Sequence, residues 1–362
     1  MFTFIVSQVN RLIEEGIEKG HHLGAQFYIS CRGETVADFA VGERSEGMAL
    51  QAQDKMLWLS SGKPILAVAI AQLWEKGEMD LDEPIAKSWS EFGEGGKESL
   101  TVRNLLTHTG GMRGADLIAF ENLSWTQALG KICHIPREPN WVPSEKAGYH
   151  RSGSWMVLAG LLERAVNQNW QDYIRENIFV PAGMFHSHMG LFRQEWEKEK
   201  VGEMFDMSLQ PPQVHANHSV EKIALSYKPG SNALGPIREL GFFYQALVQN
   251  KILKKETLDY FIARHRKGMW DYTFRQNMDW GLGFMLNTVE AEFVDKSYHF
   301  GRYASEKAWG HAGAQSSFGF VDPAYDLIVS WVFNGMPGEK VHHERTTKMN
   351  EAIYQDLGLD KK

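Results

Sequence analysis

The sequence predicts an α/β (α+β) fold: an antiparallel sheet built from the N- and C-terminal segments, flanked by helices, with an inserted, mainly helical domain. Strand-like apolar alternation occurs near both ends of the 362-residue chain, whereas helical and loop-like sequence fills the middle. We therefore assign residues 1–80 and 285–362 to the sheet domain and residues 81–284 to the mainly helical domain. The active site is expected in the cleft between them.

The N-terminal segment predicts one helix followed by a β-hairpin. The helix is amphipathic, with five apolar residues on one face: Ile5, Val9, Leu12, Ile13 and Ile17. Residues 25–31 and 34–41 have the composition of two strands, and Arg32-Gly33 between them is typical of a tight turn.

The chain that follows the first hairpin predicts helices. Residues 64–76 are strong helix formers, with Pro64 in the first turn and Gly77 just past the end, which are the positions these residues favour. Shorter helical patches cover residues 102–107, 155–167 and 240–248.

Strand signals return near the C-terminus. Residues 316–321 and 327–333 are apolar, and the turn Asp322-Pro323 between them predicts a second hairpin. A final helix is expected over about 341–357.

Composition excludes several classes of partner. The net charge is −7 and no block of Lys or Arg stands out, which argues against nucleic acid and anionic membranes. No apolar run approaches the roughly 18 residues that a membrane span needs. The first residues lack the pattern of a secretory signal, so we expect a cytoplasmic protein. Cys31 and Cys133 have no metal or redox spacing.

The first candidate for chemistry is Ser60-Ser-Gly-Lys63, at the start of the helix predicted over 64–76. Residues three apart share a helix face, so Lys63 can reach the Ser60 hydroxyl. A buried lysine has a lowered pKa and can take the proton of a serine nucleophile. A bare Ser-x-x-Lys is expected about once by chance in a chain of this length. The alternative is that Ser60 is an N-cap and Lys63 a solvated residue of the first turn.

Two longer segments carry a resemblance to a known superfamily. Residues 57–84 and 100–112, the latter reading Leu-Thr-Val-Arg-Asn-Leu-Leu-Thr-His-Thr-Gly-Gly-Met, resemble serine β-lactamases and penicillin-binding proteins. Within that superfamily, the sequence is most similar to the class C-like group that includes family VIII carboxylesterases. The resemblance implies that Ser60 is the nucleophile and that Lys63 shares its proton.

The resemblance also implies a role for Tyr149. The family has a Tyr-x-Asn motif on its helical domain, and Tyr149-His150-Arg151 lies at the matching place. Tyr149 is then the general base or proton relay, and we expect Lys63 to lower the pKa of its phenol. Arg151 replaces the asparagine, so it is a candidate substrate-binding residue whose role does not carry over from the family.

The third family element is a Lys-Thr-Gly or His-x-Gly triplet on the strand that lines the site, and His311-Ala-Gly313 fits the second form. Gly313 would let a substrate approach the strand closely. By resemblance, the N–H groups of Ala314 and Ser60 form the oxyanion hole. His311, mostly neutral at pH 7, would hold an anion less well than lysine, which favours neutral esters or amides as substrates.

These observations predict a serine hydrolase that cleaves small-molecule esters or amides through an acyl-enzyme on Ser60. No metal or organic cofactor is expected, and no nucleic acid or membrane partner. Three alternatives stay open: a β-lactamase or D-stereospecific peptidase, an acyltransferase of a biosynthetic pathway, and a catalytically silent binding protein with the same fold. His311 in place of lysine argues against the first, and the intact Ser60, Lys63 and Tyr149 argue against the last.

Overall fold

The structure, a computed structural model, describes residues 6–121, 123–288 and 300–360. Its strands, in chain order, are β1 Gly24–Cys31, β2 Glu34–Ser45, β3 Met48–Ala49, β4 Met56–Leu57, β5 His188–Met189, β6 Phe205–Asp206, β7 Gln213–Val214, β8 Ala233–Gly235, β9 Arg266–Asp271, β10 Gln276–Trp280, β11 Met285–Leu286, β12 Trp309–Gly313, β13 Ser317–Asp322, β14 Leu327–Phe333 and β15 Gly335–Met336.

The α-helices are α1 Ser7–Glu18, α2 Lys63–Glu75, α3 Val102–Leu106, α4 Trp125–His134, α5 Gly153–Val166, α6 Trp170–Ile174, α7 Val180–Ala182, α8 Arg193–Trp196, α9 Val220–Ala224, α10 Ile237–Val248, α11 Lys255–Phe261 and α12 Glu339–Asp356. Among the described residues, no helix is both long enough and apolar enough to cross a bilayer.

The main sheet joins the two ends of the chain. Its order within the described residues is β3-β2-β1-β14-β13-β12-β11-β10-β9, with every neighbouring pair antiparallel. The C-terminal hairpin β13–β14 therefore lies directly beside the N-terminal hairpin β1–β2, with Phe27 opposite Trp331. The predicted antiparallel sheet from both chain ends is confirmed.

Both faces of the sheet are covered, which explains why β14 is buried along its whole length. Side chains of successive residues point to opposite faces of a strand. Val329, Trp331 and Phe333 belong to the apolar cluster that α1 and α12 complete on one face. Ile328 and Val332 belong to the cluster formed with α2 and α10 on the other. Helix α2 is thus a central helix, buried from Lys63 to Leu73.

Most local predictions are confirmed, with small differences at the ends. Strand β2 continues four residues past the predicted end, to Ser45, and α10 begins at Ile237 rather than residue 240. Ile5, expected on the apolar face of α1, lies outside the described residues. The domain division at residue 285 stays a prediction, although β9 and β10, which precede that boundary, pair within the main sheet.

Candidate active site

Ser60 lies in a tight turn that the surrounding chain holds in place. The turn is a 3-10 helix over Leu59–Gly62 that runs directly into α2. Leu59, just before the serine, has a φ of 51°. A left-handed conformation costs about 1–3 kcal/mol for a residue with a Cβ and persists only where the surroundings impose it. Ser61 contributes by hydrogen bonding to the Ser317 hydroxyl of β13 at 2.9 Å.

Lys63 points into the protein and not into solvent. Its side chain is fully buried, and Nζ donates hydrogen bonds to Ser60 Oγ at 2.8 Å, the Arg151 carbonyl at 2.9 Å and the Gly230 carbonyl at 2.6 Å. The Ser60 hydroxyl does not cap the N-terminus of the turn or of α2. The alternative of an N-cap serine with a solvated lysine is therefore wrong.

The contacts of Lys63 suit a base. Burial lowers the pKa of Lys63 to about 7, and the nearby negative charge of Asp116 opposes that shift. A neutral amine has two N–H groups and one lone pair. The carbonyls of Arg151 and Gly230 accept the two N–H groups, so the lone pair is left facing the Ser60 hydroxyl. In this state Lys63 can receive the proton of Ser60.

Tyr149 lies on the other side of the pair. Its phenol hydrogen-bonds to Ser60, and its ring centroid lies 5.2 Å from Lys63 Nζ. Burial raises the pKa of this phenol above its ordinary value, more than the bond to Ser60 lowers it. The expectation that Lys63 lowers the pKa of Tyr149 is therefore wrong, because desolvation outweighs the favourable contacts. The phenol stays neutral and suits a relay that passes a proton on.

The chain that carries Tyr149 is fixed by side chains far away in sequence. Five consecutive backbone N–H groups, from residue 149 to residue 153, donate to buried acceptors. Asp271 accepts the first, His108 Nδ1 the second, and the carboxylate of Asp116 the last three at 2.7–2.9 Å. This arrangement sets the position of both the phenol and the Arg151 carbonyl before any substrate arrives.

Two of these acceptors are held by further buried groups. Asp271 forms an ion pair with Arg266 at 2.7 Å, with side-chain exposures of 0% and 1%. His108 packs its ring 4.7 Å from that of Tyr149 and 4.6 Å from that of Trp280. The pKa of His108 lies well below its usual value because of burial, so the ring is neutral and its Nδ1 is free to accept.

Arg151 contributes its main chain and its side chain differently. Its N–H donates to Asp116 and its carbonyl accepts from Lys63. The residue is nevertheless exposed, so the guanidinium extends away from the buried lysine. It thus lies at the rim of the site, where the family motif has an asparagine.

His311 is buried in β12 beside Tyr149, with the two ring centroids 6.0 Å apart. Its Nδ1 donates to the Ala312 carbonyl at 2.7 Å. Burial, followed by the charge of Lys63, lowers the pKa of His311 to about 3. The ring is therefore neutral near pH 7, as expected, and carries no charge for an anion.

Gly313 brings the end of β12 close to the turn that carries Ser60. A Cβ at Gly313 would lie 2.4 Å from the Trp58 carbonyl and 2.2 Å from Ser317 Oγ. The glycine is therefore needed for the close approach of the turn that bears Ser60, whereas the sequence suggested a close approach of substrate. Ala314 follows directly and is exposed. The role of the Ala314 N–H in an oxyanion hole stays a prediction.

Sequence reasoning did not identify Asp116, Asp271, His108 or Gly230. His108 lies inside the segment 100–112 that carried the family resemblance, so a signal was present without a role. Asp116 follows that segment in a 3-10 turn and Asp271 ends a strand that was not predicted, and neither has a motif around it.

The chain was compared with known protein families, with curated proteins and with solved structures. The model of the beta-lactamase family matches residues 9–353. Esterase EstB of Burkholderia gladioli is 24% identical over 392 aligned positions, which cover 97% of this chain and 95% of that protein.

Two further matches differ in extent. The putative penicillin-binding protein PbpX of Bacillus subtilis is 32% identical over 144 residues. That match covers 39% of this chain and only 33% of the relative's length. The crystal structure of a family VIII carboxylesterase superimposes with a TM-score of 0.79 at 22% identity, covering 98% of both chains. The predicted fold is thereby confirmed.

Proposed function

Because the chain belongs to the beta-lactamase family, we propose that it is a serine hydrolase that cleaves esters or amides through an acyl-enzyme on Ser60. The observation that carries the proposal is the contact between Ser60 Oγ and the buried Lys63 Nζ at 2.8 Å. Both free hydrogens of a neutral Lys63 are taken by carbonyls, so its lone pair is directed at the serine. The carboxylesterase-like activity is supported by esterase EstB, which matches along nearly the whole chain.

The reaction begins when Ser60 Oγ attacks the substrate carbonyl and its proton passes to Lys63. The new C–O bond leaves a negative charge on the former carbonyl oxygen, which the N–H groups of Ser60 and Ala314 stabilise; one such donor lowers the barrier by about 3 kcal/mol. The C–O or C–N bond to the leaving group then breaks, and that group takes a proton through Tyr149. Water attacks the acyl-enzyme by the same route and restores Ser60.

The substrate-facing residues are assigned by position. Gly313, the last residue of β12, and Ala314, which follows it, are assigned to the substrate side of Ser60. His311 is assigned as a neutral residue beside the substrate, and the exposed Arg151 as a residue at the edge of the site. No metal or organic cofactor takes part in these steps.

The test is hydrolysis of a short-chain p-nitrophenyl ester by the wild type and by Ser60→Ala. We expect turnover in the wild type and its loss in the variant, together with labelling of Ser60 by a fluorophosphonate probe. Ser90→Ala, an exposed serine in a surface turn, is the matched control and should retain both. If Ser60→Ala still hydrolyses the ester, Ser60 is not the nucleophile.

The alternatives give different outcomes in the same assay. Rapid nitrocefin hydrolysis would identify a β-lactamase, and transfer of the acyl group to an added alcohol or amine would identify an acyltransferase. A binding protein without activity would leave Ser60 unlabelled by the fluorophosphonate. The geometry of Lys63 argues against this last alternative, because a lysine buried beside a serine is costly to maintain without chemistry.

A further inference from the structure

The rim of the site carries positive charge beside the nucleophile. The Arg151 carbonyl accepts a hydrogen bond from Lys63 Nζ at 2.9 Å, so the main chain of Arg151 lies next to the proposed catalytic residues. The side chain of Arg151 extends from there to solvent. Within the described parts of the chain, no carboxylate forms an ion pair with the Arg151 guanidinium. Its charge reaches the site, since it is among the groups that lower the pKa of Tyr149.

A second segment brings a further cationic group, Lys228, to the same place. The Gly230 carbonyl also contacts Lys63, and a Cβ at Gly230 would lie 3.0 Å from the Arg151 carbonyl. The chain around Lys228, two residues earlier, therefore lies next to Arg151. Burial lowers the pKa of His218 to about 4, and the neighbouring charges of Lys228 and Arg151 contribute to the shift, so His218 is neutral near pH 7. Arg151, Lys228 and His215 therefore all lie close enough to His218 to interact with it electrostatically.

This local charge is opposite in sign to that of the whole chain, which is −7. It is also separate from His311, the residue at the family's lysine position, which is buried and uncharged near pH 7. A guanidinium with free donors matches a carboxylate because both groups are planar and can form two parallel hydrogen bonds. A positive rim also raises the local concentration of an anionic substrate.

We propose that the substrate carries a carboxylate in addition to its scissile ester or amide, and that Arg151, assisted by the charge of Lys228, binds it. This inference rests on the proposed function and replaces the expectation of neutral substrates. In this chain the anion-binding group is therefore Arg151, in the segment that carries Tyr149, and not the residue at position 311, where the family can have a lysine. Arg151 at the asparagine position of the motif then determines specificity.

The inference is tested by binding, which needs no turnover. Ser60→Ala is titrated by isothermal titration calorimetry with two matched pairs of esters. In the first pair the carboxylate is on the acyl side: mono-p-nitrophenyl glutarate against p-nitrophenyl valerate. In the second it is on the leaving group: p-butanoyloxybenzoate against phenyl butanoate. We expect the anionic member of one pair to bind about fivefold more tightly, the upper range for an exposed ion pair.

Variants of the rim complete the experiment. In the Ser60→Ala background, Arg151→Gln should abolish the preference and Arg151→Lys should retain most of it. Arg11→Gln, which removes the same charge from the exposed face of α1, should leave the preference unchanged. Equal binding of both members in both pairs, or a preference that survives Arg151→Gln, would overturn the inference. Hydrolysis of the neutral esters by the wild type tests the proposed function separately, so the two failures are distinguishable.

Discussion

Lys63 Nζ lies 2.8 Å from Ser60 Oγ, so the protonation state of Lys63 determines whether it can accept the Ser60 proton. Burial lowers the pKa of Lys63 to about 7, because an ammonium group shielded from solvent is less stable than a neutral amine. The negative charge of Asp116 opposes this shift and keeps that pKa from falling further. A base of this kind is half neutral near physiological pH, where general bases are most effective.

The first prediction concerns the pH dependence of acylation. Only neutral Lys63 can take the Ser60 proton, so kcat/KM should rise with pH through a single limb near pH 7. His311, with a pKa of about 3, should add no limb between about pH 5 and pH 9. The measurement is kcat/KM for a p-nitrophenyl ester across that range, with the rate of Ser60→Ala subtracted as background. A flat or falling profile would contradict Lys63 as the base.

The second prediction treats Asp116 as a positioning residue. In Asp116→Asn the negative charge that favours protonated Lys63 is lost, so the pKa of Lys63 falls and the acid limb moves to lower pH. One of the three backbone N–H groups that Asp116 accepts would then face an amide NH₂, which displaces the segment bearing Tyr149 and lowers kcat.

The control for this variant is Asp82→Asn. Asp82 is largely exposed and pairs with Arg103, whereas Asp116 is buried. Asp82→Asn removes the same charge as Asp116→Asn and should leave the acid limb of the kcat/KM profile near pH 7. If Asp116→Asn loses activity while its limb stays near pH 7, Asp116 has a merely structural role.

The third prediction separates the phenol of Tyr149 from its ring. Tyr149→Phe keeps the packing against Phe274, whose ring centroid lies 4.8 Å away, and loses only the hydroxyl that contacts Ser60. We expect kcat to fall about 100-fold, as for the loss of one proton-transfer group, with little change in thermal stability. Burst kinetics with a p-nitrophenyl ester would measure acylation directly. If Tyr149→Phe hydrolyses the ester at the wild-type rate, Tyr149 is not a proton relay and Lys63 alone transfers the proton.

Sequence predicted those parts of the fold and site that depend on local pattern. The two hairpins were identified because apolar strands flank Arg32-Gly33 and Asp322-Pro323, and both are present in the sheet. The pair Ser60 and Lys63 was identified because a three-residue spacing brings side chains together at a helix start. Such relations involve neighbouring residues only, so they are visible in a single sequence.

The supporting groups of the site could not be predicted in this way. Asp116, His108 and Asp271 reach the segment of Tyr149 across separations of 35, 42 and 122 residues. These contacts join side chains to backbone N–H groups in irregular segments, where no periodicity applies. Strand β9 was missed because its residues, Arg266 to Asp271, include Gly268 and two basic residues and do not alternate in polarity.

The last prediction follows from the buried pair of Arg266 and Asp271. Asp271 accepts hydrogen bonds from Arg266 and from the N–H groups of Tyr149, Thr273 and Phe274. Asp271→Asn would leave the guanidinium of Arg266 charged and uncompensated in the interior, which should lower the free energy of unfolding by about 3–5 kcal/mol. Urea unfolding followed by fluorescence measures the loss.

The exposed pair of Arg103 and Asp82 provides the comparison, since its aspartate side chain is 64% exposed. Asp82→Asn should cost about 0–1 kcal/mol, because water already screens that pair. Equal losses in the two variants would mean that Arg266 finds other partners when Asp271 is neutral. A large loss in Asp271→Asn alone, accompanied by reduced labelling of Ser60, would establish that the ion pair stabilises the fold and the position of Tyr149 together.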